Sequence, residues 1–360
     1  MDKKKIKSEK MTEISEYIES LHKEPKLIYL FVELTEQCNL ACLHCGSDCE
    51  AAKNHHIDTD LLIKSLKELA EDVEPQTVMI CLTGGEPFLH KDFYKIVETI
   101  VQFGFPWGIT TNGTLIKQED CIRLKNLGLN SVTISLDGLK DSHEWLRNVK
   151  GCFEKTLQCV NYFNDIDIPV QITSVIHRKN FHELEDMYNL MVNMKIASWR
   201  VINIEPIGRT LNHRDLLLTS EEIHALLDFI REKRYSINTP MDICFGCSHY
   251  LSFEYEHELR DNYFVCGSGI YVGSILYNGD IYSCLDIERR PELVQGNISN
   301  DRFFDVWKNK FSEFRRNRTE LSERCRNCGE KMFCRGDSTH TWDFDKNEPM
   351  FCILREGFYL

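Results

Sequence analysis

The chain has 360 residues, 42% hydrophobic and 28% charged, with a formal net charge of −13, a balance that excludes disorder or coiled coil as a description of the whole. At ~150 residues per domain the length suggests two domains, and the acidic excess disfavours a general nucleic-acid grip. The N-terminus MDKKKIKSEK carries no apolar signal region and the longest apolar run, Leu27–Val32, is six residues, far short of the ~20 of a membrane span, so a soluble cytoplasmic protein with no membrane partner is expected.

Residues 1–26 read as a helical preface, with Ile14, Tyr17, Ile18 and Leu21 at helical spacing. A buried strand follows over Leu27–Leu34, then helix Asp58–Glu71 with a cap at Asp58 or Thr59, and strand Val78–Leu82 ending in Gly84-Gly85. The rhythm repeats through helix Asp92–Phe103, strand Trp107–Thr111, helix Lys117–Leu127, strand Ser131–Leu136, helix Cys152–Phe163, strand Val170–Ile176, helix Phe181–Met194 and strand Trp199–Ile204. About six β-then-α units argue an α/β fold with a parallel sheet and right-handed crossovers, either a partial barrel or an open doubly wound sheet. In both, chemistry belongs at the carboxyl ends of the strands. Thr219–Arg234 is one more helix, a linker or closing element. From Met241 short strands and turns prevail, with a hairpin signal at Tyr277-Asn278-Gly279-Asp280. The expected division is 1–26 helical segment, 27–210 barrel, 211–240 linker and 241–360 a small metal-held domain.

Sixteen cysteines in tight clusters point, in a reducing compartment, to metal rather than disulfides. Cys38-x3-Cys42-x2-Cys45 sits in the loop after the first strand. Three thiolates can hold three irons of a cubane and leave the fourth open, whereas a structural zinc site is expected to supply four ligands. Zinc, or an accidental trio of thiols, is the competing reading. His44 is an aromatic ring placed to cover the cluster or stack on a ligand.

This CxxxCxxC resembles the radical SAM superfamily, and further strand ends agree. Gly84-Gly85-Glu86-Pro87 resembles the family's GGE-type motif, which implies that backbone carbonyls and Glu86 hold the amino group of S-adenosylmethionine (SAM); glycine permits close backbone approach and a carboxylate suits an ammonium. Thr111-Asn112-Gly113 and Ser135-Leu136-Asp137-Gly138 resemble the TNG and SLDG segments, and Arg147 in HEWLR the HDxxR element. The resemblance implies a TIM-like (β/α)6 partial barrel, SAM on a [4Fe–4S] cluster held by Cys38, Cys42 and Cys45, and cofactor contacts at His44, Gly84, Gly85, Glu86, Pro87, Thr111, Asn112, Ser135, Asp137 and Arg147. His44 departs mildly from the usual Phe, Tyr or Trp.

Downstream, Cys266-x12-Gly279-x4-Cys284 and Cys325-x2-Cys328-x5-Cys334, then Cys352, resemble the SPASM extension. The resemblance implies two auxiliary [4Fe–4S] clusters: Cys325, Cys328, Cys334 and Cys352 for the outer, Cys266 and Cys284 for the inner. Ser338 stands where the pattern expects a cysteine. Cys247, with Cys244, is one way to restore four-thiolate ligation; an open iron or an oxygen ligand such as Asp280 or Asp337 is the other. The Cys-x2-Cys pairs alone would suit a zinc ribbon. Of the remaining cysteines, Cys81, Cys121, Cys152 and Cys159 read as small buried hydrophobes, and Cys49, next to the first cluster, as a hydrogen-atom donor.

Radical SAM proteins with SPASM domains mostly modify peptides. The resemblance therefore implies a ribosomal-peptide maturase whose 5′-deoxyadenosyl radical abstracts hydrogen from a peptide, forming a thioether or other crosslink. Expected partners are a leader-bearing peptide, its leader read either by a separate leader-recognition protein or by the barrel and SPASM surfaces, and an external donor such as flavodoxin or ferredoxin. A peptide epimerase and an anaerobic sulfatase-type maturase are the enzymatic alternatives; a non-catalytic iron–sulfur or zinc scaffold is the alternative of another class.

Overall fold

The computed structural model describes residues 3–236, 239–246, 249–253 and 255–355. After helix α1 (Lys3–Lys23), strand and helix alternate: β1 (Tyr29–Glu33), α2 (Thr59–Asp72), β2 (Met79–Thr83), α3 (Phe93–Gln102), β3 (Trp107–Thr111), α4 (Gln118–Asn126), β4 (Ser131–Ser135), α5 (Lys140–Arg147), α6 (Cys152–Asn164), β5 (Val170–Ile176), α7 (Leu184–Asn193), β6 (Ser198–Asn203), α8 (Ser220–Arg234) and β7 (Asp242–Phe245). The short helix α9 (Glu256–Leu259) leads to β8 (Val272–Ile275), β9 (Asp280–Tyr282) and β10 (Gly296–Asn297), followed by α10 (Phe303–Asn309).

Local chemistry sets these bounds. Asp58 caps α2 by accepting from the N–H groups of Asp60 and Leu61, and Thr219 and Glu222 close a capping box on α8. The outward faces of the strands and the inward stripes of the helices form one core, in which Leu30 and Val32 of β1, Leu62, Leu66 and Leu69 of α2 and Ile96, Val97 and Ile100 of α3 are all buried. Each such side chain contributes about 1.5–3 kcal/mol through removal from water. No described helix is long and apolar enough to cross a membrane.

The strand order is β10-β9-β8-β1-β2-β3-β4-β5-β6-β7. Pairings from β8 across to β7 are all parallel, and β9 and β10 add an antiparallel hairpin edge. The six expected units are present, and the sheet extends beyond them at both ends. β7 prolongs it from β6, pairing Arg200 with Cys244. β8 adds to the free side of β1, pairing Leu30 with Gly273. A cut at residue 241 therefore severs strand pairing on both sides. The hairpin at Asn278-Gly279 is where its turn residues place it, with Gly279 at φ +85° and Ile275 opposite Ile281. Glu33, buried at the end of β1, ties the hairpin down: it lies 3.0 Å from Arg289 and accepts from the Tyr277 N–H at 3.3 Å.

Candidate active site

Residues from the carboxyl ends of β2 to β6 line one cavity of about 290 Å³, so the sheet is curled around it. Thr83, Gly84 and Gly85 enter from β2, Thr111 and Asn112 from β3, Ser135 from β4, Val175 from β5, and Arg200, Ile202 and Glu205 from β6. Cys38, Cys42, His44, Cys45 and Cys49 cover one side, on the loop after β1.

The cysteine loop is held by its surroundings. Arg209, beyond β6, donates to the carbonyls of Cys42 (3.0 Å) and Cys49 and pairs with Asp48 at 2.8 Å. Gly208 permits that approach: its φ is +52°, and a Cβ there would stand 2.4 Å from the Cys45 carbonyl oxygen. Gly85 is equally constrained, since a Cβ would meet the Gln37 carbonyl oxygen at 2.2 Å.

The three thiols are each met by a donor. Cys38 Sγ accepts from the Leu40 N–H at 3.4 Å, Cys45 Sγ from the Cys49 N–H at 3.3 Å, and Cys42 Sγ from Arg147 Nη1 at 3.6 Å. Burial pushes the Cys38 thiol up to about 12 and raises that of Cys42, whereas hydrogen bonds from Cys49, against the cost of burial, bring Cys45 down to about 6. Three soft donors with N–H···S and guanidinium support, facing an open cavity, fit an iron–sulfur cluster with one uncovered iron. His44 lines the cavity as a neutral ring, burial bringing it down to about 3. Cys49 also lines it, 3% exposed, and its thiol is held up by hydrogen bonding to Cys45 and by burial.

Three residues expected as cofactor contacts, Glu86, Pro87 and Asp137, are not among those lining the cavity. The Glu86 carboxylate accepts from Thr111 Oγ1 at 2.8 and 3.0 Å, from the Asn112 N–H at 2.9 Å and from the Phe88 N–H at 3.4 Å. It is a fully buried strut between the ends of β2 and β3, and desolvation raises it to about 7. Pro87 opens the short helical turn that follows. Neither reaches the cavity wall, because the extended backbone at Glu86 turns its side chain towards β3. Asp137 is likewise enclosed. Its carboxylate lies 2.5 Å from Arg147 Nη2 and accepts from the Val175 N–H at 2.9 Å. Burial alone would raise this carboxyl, but the guanidinium holds it below the usual carboxylate range. Asp137 thus aims Arg147, and Arg147 lines the cavity beside Cys42.

Sequence reasoning missed Arg200, Glu205 and His340. Arg200 occupies an inward position of an alternating strand, where a charge is a signal in retrospect. Glu205 is 3.1 Å from His249 Nε2 and 2.7 Å from His340 Nε2. Burial opposes its ionisation, yet the two imidazoles hold it far below the usual carboxylate range. His249 in turn meets Asp337 at 2.9 Å. No local pattern announces this set, which joins Glu205, just after β6, to His249, Asp337 and His340, far along the chain.

Cys325, Cys328, Cys334 and Cys352 converge on a second cavity of about 160 Å³, with Asp337 and Phe351 on its wall. Thiolates are the usual ligands of an iron–sulfur cluster, and these four line one cavity. Cys266 Sγ contacts the N–H and Oγ1 of Thr339 at 3.4 and 3.3 Å, beside Ser338, and Cys284 lies 3.9 Å from Asp286. Cys247 lies outside the described residues, and Cys244 sits on β7 beside Arg200.

Residues 32–191 match the model of the radical SAM superfamily and residues 266–329 that of the SPASM iron–sulfur cluster-binding domain. Among curated proteins, an AdoMet-dependent heme synthase of Oleidesulfovibrio alaskensis is 26% identical over 322 residues, 84% of this chain and 80% of that protein. The mycofactocin maturase MftC of Mycolicibacterium smegmatis is 28% identical over 316 residues, 86% of this chain and 77% of that protein. Among solved structures, SuiB of Streptococcus suis bound to S-adenosylmethionine superposes with a TM-score of 0.73 at 18% identity, covering 92% of this chain and 78% of that one.

Proposed function

The chain belongs to the radical SAM enzymes with a C-terminal SPASM iron–sulfur domain, and from that premise we propose that it is a peptide maturase that removes a hydrogen atom from a ribosomal peptide and closes a thioether or other crosslink. One observation carries the reading. The thiols of Cys38, Cys42 and Cys45, each met by a donor, open onto the same cavity as Gly85, Asn112 and Arg147 on one side and Glu205 and His340 on the other.

Bound there, a SAM–[4Fe–4S] pair supplies a 5′-deoxyadenosyl radical. The three thiolates would hold the cluster, and the backbone of Gly84-Gly85 and the side chains of Asn112, Ser135 and Arg147 would hold SAM. Arg147, fixed by Asp137, would pair with a carboxylate of the bound cofactor, and His44 lines the same cavity as a neutral ring. A peptide side chain would enter this cavity past Asp286, an exposed residue of its lining. Curated relatives support a peptide substrate: besides the mycofactocin maturase they include a PqqA peptide cyclase of Bradyrhizobium diazoefficiens. Cys49 lines the cavity and would be the residue returning a hydrogen atom if the product were an epimer instead. A second reading is heme formation, favoured by the heme-synthase relatives and by Arg200, a cation in the cavity suited to a carboxylate.

The test is anaerobic reconstitution with iron and sulfide, then dithionite and SAM, with 5′-deoxyadenosine measured for the wild type and a Cys38/Cys42/Cys45→Ala variant. Product from the wild type alone supports the radical reading. Candidate precursor peptides are then assayed by mass spectrometry, and an iron porphyrin precursor in parallel. A hydrogen pair lost from a peptide is the expected outcome; conversion of the porphyrin with every peptide untouched would replace the peptide reading by the second.

A further inference from the structure

Four thiols, not three, face the first cavity. Cys49 lines it together with Cys38, Cys42 and Cys45, and the four pack in one group with Leu40, Val149 and Cys152. The Cys49 N–H donates to Cys45 Sγ at 3.3 Å, and its thiol hydrogen-bonds to the same sulfur. The chain pins this residue from both sides. Asp48, before it, is left-handed with φ +52°. Arg209 donates to the Cys49 carbonyl while pairing with Asp48 at 2.8 Å. Glu50, after it, bridges to Gln37, donating to the Glu36 carbonyl and accepting from the Cys38 N–H, both at 3.3 Å. The other cysteines of the barrel, Cys81, Cys121, Cys152 and Cys159, line neither of the two cysteine cavities. A thiol that merely packs needs no place among the cluster ligands, yet Cys49 has one.

We propose that Cys49 is a displaceable fourth ligand: in the absence of SAM its thiolate closes the iron that Cys38, Cys42 and Cys45 leave open, and SAM binding releases it. This role rests on the radical reading in that the trio holds a cubane. Iron–sulfur cubanes ordinarily carry four thiolates. A fourth thiol in the same cavity, one hydrogen bond from a ligand sulfur, is the nearest soft donor for the remaining iron. In the exchange the bond between iron and Cys49 Sγ breaks, and bonds form from the same iron to the α-amino nitrogen and the carboxylate oxygen of SAM. One proton of the α-ammonium passes to the departing thiolate. No electron moves, so the oxidation state of the cluster is unchanged. The uncovered iron is the one an oxidant strips first, and a thiolate that yields only to a chelating amino acid shields it at rest.

The test uses the full chain, reconstituted anaerobically and freed of added thiol, with no reductant present. Two readouts are taken, neither of them turnover. SAM binding is measured by calorimetry, and the [3Fe–4S] electron paramagnetic resonance signal is recorded after mild ferricyanide, which marks a cubane that has lost an uncovered iron. Cys49→Ala is compared with the wild type, and Cys152→Ala controls for packing, since Cys152 is 1% exposed in the same group. The Cys38/Cys42/Cys45→Ala variant supplies the signal of the C-terminal cysteines, which is subtracted. If Cys49→Ala loads less iron, Cys49→Val takes its place. With no ligand to displace, Cys49→Ala is expected to bind SAM on the order of tenfold more tightly and, without SAM, to give a three-iron signal larger by a similar factor. Cys152→Ala is expected to match the wild type. SAM affinity unchanged or weakened in Cys49→Ala, or a three-iron signal equal to that of the wild type, overturns the proposal. Equal effects from Cys152→Ala overturn it too. Iron content separates this failure from that of the radical reading. A wild type with no more iron than the Cys38/Cys42/Cys45→Ala variant sinks both; about four more irons per chain with any of the overturning results sinks the proposal alone.

Discussion

Replacing Glu86 by Gln separates two roles for this residue. A SAM ligand would lose cofactor affinity on substitution and leave stability alone, whereas a buried strut changes stability in a pH-dependent way. Desolvation raises Glu86 from 4.5 to about 7, so the folded protein prefers the protonated form. The associated stability is fully present below pH 4.5 and is lost as pH rises through 7. A shift from 4.5 to about 7 corresponds to roughly 3 kcal/mol across that window, of which on the order of 1 kcal/mol falls between pH 6 and 8. Gln carries no charge to desolvate, but its amide N–H2 faces the donors of Asn112 and Thr111, leaving one of them without an acceptor at a cost of about 1–3 kcal/mol. Glu86→Gln is therefore expected to be less stable than the wild type at pH 6 and to close on the order of 1 kcal/mol of that gap by pH 8. Urea midpoints of both proteins at pH 6, 7 and 8 give the difference directly, since every other titrating group cancels. Parallel profiles, or an undiminished stability coupled to lost SAM binding by calorimetry, would refute the strut.

Gly85→Ala drives a Cβ into the Gln37 carbonyl at 2.2 Å, so the cysteine loop has to move; SAM binding measured by calorimetry should fall well over tenfold, about 1.4 kcal/mol or more. Asp137→Asn leaves the enclosed Arg147 without its partner and should destabilise by about 3–5 kcal/mol in urea unfolding; a change under about 1 kcal/mol would show that Cys42 suffices to compensate the guanidinium. Cys325→Ser/Cys352→Ser should remove about four irons per chain by elemental analysis, while dithionite-driven formation of 5′-deoxyadenosine persists. Loss of that product together with the iron would mean that the two cysteine sites are not independent.

The chemistry-bearing loops were legible in the sequence because their constraints are local. Cys38, Cys42 and Cys45 sit at spacings that let three thiols face one space, and Gly84-Gly85 marks a backbone approached too closely for any side chain. The strands β3 and β5 end where the apolar alternation ends, and Asp58 and Thr219 announce their helices by capping chemistry. Long-range choices were not legible. Whether Glu86 faces the cofactor or Thr111 depends on the direction of one side chain, which the motif does not encode. The pairing of β7 with β6 and of β8 with β1 depends on which edges remain unfilled once six strands have assembled. The Glu205, His249, His340 and Asp337 set arises because the sheet ends and the C-terminal segment meet in space, and a buried carboxylate there can persist only if partners arrive from elsewhere in the fold. Spacing along the chain thus determined the donor groups, while the tertiary structure decided which of them face the cavity and which hold it open.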